Sequence, residues 1–89
     1  MNIIIAGAGK VGKVLVRQLT AEGHALTVID QNSHTLETLV VRYDAIGVQG
    51  NCASKEVLEQ ADVHSADLLI AATNADEVNL LCCMTAHGL

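Results

Sequence analysis

The 89 residues allow one domain and exclude a second, and they lie near the lower limit for a self-sufficient hydrophobic core. Hydrophobic residues make up 51% of the chain and aromatic ones only 1%, so the core must be built from Val, Leu, Ile and Ala, the makeup of parallel strands covered on both faces. The formal net charge of -5 argues against nucleic acid as a partner, because phosphate backbones are held by clustered Lys and Arg, whereas a small anionic ligand needs only local donors.

The run Ile3-Ile4-Ile5, closed by Ala6 and Gly7, reads as a short buried first strand. From Val11 to about Glu22 the apolar residues Val11, Val14, Leu15 and Leu19 recur at helical spacing, and Gly23 follows where a left-handed cap is wanted. Leu26 to Ile29 is a second strand that stops at the carboxylate of Asp30. Asn32 and Ser33 are N-cap candidates for a second helix carrying Leu36, Leu39 and Val40. Ala45 to Gln49 is a third, weaker strand ended by Gly50-Asn51, and Ser54 can cap a short helix with Val57, Leu58 and Ala61 turned inward. Leu68 to Ala72 is an unbroken apolar run with the composition of an interior fourth strand. Thr73 to Glu77 opens the last helix with acidic residues in its first turn, and Gly88 stands near its end.

The order βαβαβαβα, with right-handed crossovers, predicts an α/β Rossmann-type parallel sheet of four strands in order 3-2-1-4 with helices on both faces. In that order the fourth strand becomes an edge, although no charge protects it, and Val78, Leu80, Leu81, Cys82, Cys83, Met84 and Ala86 spread around most of the last helix. Both features predict a homodimer or higher oligomer using the fourth strand, the last helix, or both. No apolar run approaches the ~20 residues needed to span a bilayer, and no signal-peptide pattern precedes the first strand, so the chain reads as cytoplasmic. Cys52, Cys82 and Cys83 lack CxxC spacing and read as reduced, small apolar residues rather than as a zinc or redox site.

The segment Gly7-Ala8-Gly9-Lys10-Val11-Gly12 follows a strand, opens a helix, and precedes Asp30 at the end of the next strand. Those relations turn a weak glycine pattern into a dinucleotide fingerprint. Gly7 permits a tight turn, Gly9 leaves the backbone open to a pyrophosphate, and Gly12 lets the helix pack close to the sheet. The helix start supplies N–H donors and a positive dipole end for the phosphates. Asp30 can accept from both hydroxyls of an adenosine ribose and would repel a 2′-phosphate, and neither Gln31 nor Asn32 offers that phosphate a positive charge, so NAD(H) is favoured over NADP(H). The other reading of Asp30 is a residue that ends its strand and caps the next turn. Gly50-Asn51-Cys52 and Thr73-Asn74 stand at the carboxyl ends of the third and fourth strands, either as contacts to adenine, ribose or pyrophosphate or as ordinary turn residues. Lys10 is placed near phosphate, while Lys13 and Arg17 read as a solvated face. His24, His34, His64 and His87 have no partner recognisable in sequence, and no catalytic or metal-binding set stands out.

The stretches Ile3 to Gly12, Val28-Ile29-Asp30, Val48 to Asn51 and Ala72 to Leu80 closely resemble the N-terminal nucleotide-binding domain of TrkA and KtrA proteins, also called RCK or KTN domains. These are the cytosolic regulatory subunits of bacterial potassium uptake systems. The resemblance covers nearly the whole chain, and its most specific part is the Thr-x-x-Asp-Glu-x-Asn segment from Thr73 to Asn79. It implies binding of NAD(H) or of ATP, ADP or AMP, and control of a membrane potassium transporter, peripheral at the inner face of the membrane, without catalysis. The family's contact positions fall on Gly7, Gly9, Lys10, Val11, Asp30 and Gln31, then on Gly50, Asn51, Cys52, Thr73, Asn74 and Glu77. Family domains continue into further strands, so residues 1–89 read as a dinucleotide-binding domain truncated at its C-terminus. The function expected is therefore a nucleotide-sensing regulatory module, the alternative being the cofactor half of an NAD-dependent oxidoreductase.

Overall fold

The computed structural model describes residues 1–89 and contains one four-stranded parallel sheet in the order expected. Strand β1 (Asn2–Ala6) lies between β2 (Ala25–Asp30) and β4 (Leu68–Ala71), and β3 (Ile46–Gln49) forms the far edge beyond β2. Helices α1 (Lys10–Ala21) and α2 (Ser33–Tyr43) cover one face, while α3 (Lys55–Gln60) and α4 (Asp76–His87) cover the other. A single 3-10 turn at Val63–Ser65 leads from α3 into β4.

The lack of alternation in β1 has its cause in this layering. Ile3 and Ile5 enter the core with Val16 of α1 and with Leu36 and Leu39 of α2, whereas Ile4 and Ala6 face Leu58 of α3 and Cys82 of α4. Both sides of the strand are therefore dry, and Ile3 to Ala6 are no more than 2% exposed.

The local punctuation follows the residues that were read for it. Asn32 Oδ1 accepts the Thr35 N–H at 3.0 Å and starts α2, and Ser54 Oγ accepts the Val57 N–H at 3.4 Å and starts α3. Glu56 is held below the usual carboxylate range by its own backbone N–H and then by the Ser54 hydroxyl, which donates to it at 3.0 Å. Gly23 takes φ +87 after α1, while α2 ends on Asp44 at φ 55, a left-handed residue that its sequence did not announce.

One expectation needs correction. The inner face of α1 is formed by Gly12, Leu15, Val16 and Leu19, not by Val11 and Val14, which are 62% and 49% exposed. Positions 12, 15, 16 and 19 keep the helical period but shift the stripe by one residue, which turns Val11 toward the mouth of the preceding loop. β4 is the edge that the strand order predicts despite its interior-like composition, and its residue Leu68 is 43% exposed. On α4 only Cys82 is buried, and Leu80, Leu81 and Met84 are 62%, 52% and 61% exposed. No helix is long and apolar enough to cross a membrane.

Candidate functional site

The chain leaves β1 toward α1 on one face of the sheet and leaves β4 toward α4 on the other. Because β1 and β4 are neighbours, their carboxyl ends part and open a crevice at this switch of direction. It consists of a cavity of about 210 Å³ and a larger one of about 620 Å³, which share Gly7, Asp30, Thr73 and Asn74. The smaller cavity is lined further by Ile29, Gln31, Gly50, Cys52 and Val78, and the larger by Gly9, Lys10, Val11 and Lys13. An apolar recess and a basic trough thus meet at one carboxylate.

Each glycine of the loop has its own reason. Gly7 adopts φ +108, and a Cβ there would lie 2.8 Å from the Thr73 nitrogen, so both backbone conformation and space demand glycine. At Gly12 a Cβ would strike the Gly7 carbonyl oxygen; the close approach is of α1 to its own loop more than to the sheet. Gly9 differs, because a Cβ at that position would meet nothing within 4 Å and its φ of -75 suits any residue. Gly9 is also the N-cap of α1, where glycine is an accepted residue, and nothing packs over it.

Asp30 joins the two alternatives that its position raised. Its Oδ2 accepts the buried Ala8 N–H at 2.8 Å, and its Oδ1 accepts the Asn32 N–H at 2.8 Å, so it fixes the loop and the following turn together. A carboxylate has about four lone-pair sites, so two remain for further donors at a residue that borders both cavities. The Gly7 N–H donates to the Ile29 carbonyl at 2.7 Å, continuing the ladder of β1 and β2 into the loop.

Opposite the loop, Asn79 folds back from α4 onto Thr73. Its Oδ1 accepts the Thr73 N–H at 2.9 Å and the Thr73 hydroxyl at 2.6 Å, and its Nδ2 donates to the Thr73 carbonyl at 3.2 Å. The Thr73 hydroxyl oxygen also accepts the Ala75 N–H at 3.2 Å. Beneath the recess, the Cys52 thiol is raised by burial, and burial followed by the charge of Cys52 pushes the Cys82 thiol up to about 12. Both are neutral and free.

Of the residues named from sequence, Gly7, Gly9, Lys10, Val11, Asp30, Gln31, Gly50, Cys52, Thr73 and Asn74 all border the crevice. Gly12, Asn51 and Glu77 do not line it. Gly12 lies beneath the loop, and Asn51 Oδ1 is occupied by the Ala53 N–H at 2.9 Å. Glu77 is exposed in the first turn of α4. Lys13, read as a solvated face, lines the larger cavity one turn beyond Lys10, and its spacing of three from Lys10 was the available signal. Asn79 was visible only as the last residue of a resembling segment.

A family model described as the TrkA-N domain matches residues 3–89. The chain belongs to this family. "Trk system potassium uptake protein TrkA" of Halomonas elongata is 45% identical over all 89 residues, which span only 20% of that protein. Among solved structures, the AMP-bound Kef CTD of Shewanella denitrificans superposes with a TM-score of 0.86 at 31% identity, over 99% of this chain and 52% of that one. The GsuK channel bound to NAD gives a TM-score of 0.83 at 26% identity, over 99% of this chain and 16% of that one. This TrkA-N chain therefore corresponds to about a fifth of the curated TrkA protein and to a still smaller part of the channel.

Proposed function

We propose that this TrkA-N chain is a non-catalytic, nucleotide-sensing module of a bacterial potassium transport system, working at the cytoplasmic face of the membrane. Adenine would occupy the smaller recess, its ribose would donate to Asp30, and the phosphates would lie over Gly9 at the start of α1, flanked by Lys10 and Lys13. The observation that carries this reading is the open space over Gly9 at the start of α1, where no neighbour lies within 4 Å of the position a Cβ would take. A pyrophosphate close to the main chain accounts for it. Asp30 favours NAD(H) over NADP(H), and AMP, ADP and ATP share the adenosine that the same groups recognise. NAD and AMP in two structural relatives support this ligand class. The link to potassium transport rests on the named TrkA relatives, and control would follow if the ligand binds two arrangements of the assembled domains unequally.

Calorimetry with NADH, NAD, NADPH, AMP, ADP and ATP on the wild type and on Gly9→Val tests the site. We expect NADH to bind more tightly than NADPH, and Gly9→Val to lose binding while keeping its folded circular dichroism spectrum, since its Cβ meets no neighbour within 4 Å. Equal NADH affinity in a folded Gly9→Val chain would remove the phosphate role of the loop. Exposed Leu80, Leu81 and Met84 beside the edge strand β4 support a homodimer or higher oligomer. Light scattering that shows a monomer at high micromolar concentration would overturn that assembly.

A further inference from the structure

The peptide joining Ala72 to Thr73 rests directly on the phosphate loop. A Cβ at Gly7 would come within 2.9 Å of the Ala72 carbonyl carbon and 2.8 Å of the Thr73 nitrogen, so the loop and the β4–α4 turn touch through their backbones. The strand ladder ends one residue earlier, where the Ala72 N–H donates to the Ala6 carbonyl at 2.7 Å, and from the Thr73 N–H onward a side chain takes over. The Asn79 amide offers Thr73 one acceptor and one donor, and Thr73 returns its N–H and its carbonyl, as two paired strand residues would. Asn79 itself lines neither cavity.

The hydroxyl completes the arrangement. Its single proton has two acceptors within the clamp, Asn79 Oδ1 at 2.6 Å and the Ala75 carbonyl at 3.1 Å, and a lone pair takes the Ala75 N–H, so the clamp uses the Thr73 hydroxyl proton internally. We propose that Asn79 is a positioning residue for nucleotide binding: its amide holds the Ala72–Thr73 peptide as the rigid wall against Gly7 and ties occupancy of the crevice to the first turns of α4. The inference rests on the reading of the crevice as a nucleotide site. A ligand that presses on the loop presses on this peptide, and the clamp passes the displacement to a helix whose exposed face carries Leu80, Leu81 and Met84.

Two measurements on the full chain test this, with NADH and AMP as probes. In the wild type, ¹⁵N spectra should show the Asn79 side-chain amide and the Thr73 backbone amide shifting on saturation, although Asn79 does not border the ligand. Asn79→Leu, similar in size but without hydrogen-bonding groups, should lower affinity by about tenfold or more at a temperature where circular dichroism shows it folded. Thr73→Val, which keeps the side chain's shape but removes its hydroxyl, should fall between the wild type and Asn79→Leu. Asn79 resonances that do not move at saturation overturn the proposal, and so does a folded Asn79→Leu with wild-type affinity. If Asn79→Leu does not fold, the wild-type spectra and Thr73→Val decide. A wild-type chain that binds neither probe defeats the nucleotide reading itself, a result distinct from either of these.

Discussion

From Gly7 to Gly12 the crevice wall is made by leaving side chains out, whereas from Thr73 to Asn79 it is made by folding a polar one back. The first wall has no internal brace; it is shaped by contacts that a single methyl group would break, at Gly7 against Thr73 and at Gly12 against the Gly7 carbonyl. The second wall tolerates side chains because its backbone groups are already satisfied by Asn79. A binding surface needs main-chain N–H groups free on one side and immobile on the other. Here one wall supplies freedom and the other supplies immobility, and Asp30 fastens the free one to β2.

The sharpest way to break this contrast is Gly12→Ala. The new methyl group must displace the Gly7 carbonyl or push α1 away, and overpacking of this kind costs about 3 kcal/mol where backbone is the obstacle. We expect a large fall in the urea midpoint and no measurable nucleotide binding. A Gly12→Ala chain with wild-type stability would mean that the loop relaxes freely and that the first wall is not sterically set.

Asp30→Ala comes next. It leaves the buried Ala8 N–H without its acceptor, at about 1–3 kcal/mol of stability, and removes the proposed ribose acceptor, at about 1.5–3 kcal/mol of binding. Chemical denaturation and calorimetry measure the two losses separately. A loss of stability with unchanged NADH affinity would confine Asp30 to the loop, and the reverse would confine it to the ribose.

The sequence made these two walls unequally legible. Strand order, the glycine loop and Asp30 could be read because they follow from apolar period, glycine spacing and a strand that ends on a carboxylate. The Asp30 bond to Ala8 spans 22 residues, and the Asn79 clamp reaches back six, and neither separation corresponds to any helical or strand period. Polar contacts of this sort leave no pattern in hydropathy. The misplaced face of α1 has a related cause: Gly12 belongs to the buried stripe but contributes no apolar side chain to count, so Val11 and Val14 took its place.

The effect confined to the narrowest conditions concerns what lies under the second wall, and at neutral pH stability should not vary with it. Cys82 of α4 is 0% exposed, and burial together with neighbouring Cys52 raises its thiol from an ordinary 9.0 to about 12; Cys52 is raised in the same direction, also by burial. A thiol whose folded pKa lies above its unfolded one stays protonated in the native state while the unfolded chain gives its proton up. Its contribution to stability is therefore complete below 9.0 and is lost as pH rises toward 12. Urea midpoints of the wild type should fall through that alkaline window more steeply than those of a Cys52→Ala, Cys82→Ala chain, in which Cys83, Tyr43 and the lysines are left to titrate. The slope is the quantity to compare, because removing two buried thiols lowers the absolute midpoint at every pH. Parallel slopes would show that α4 is seated without help from neutral thiols. A steeper wild-type slope would show that the helix carrying Asn79 is docked on groups that must stay uncharged, a second respect in which this wall depends on its side chains where the glycine wall depends on their absence.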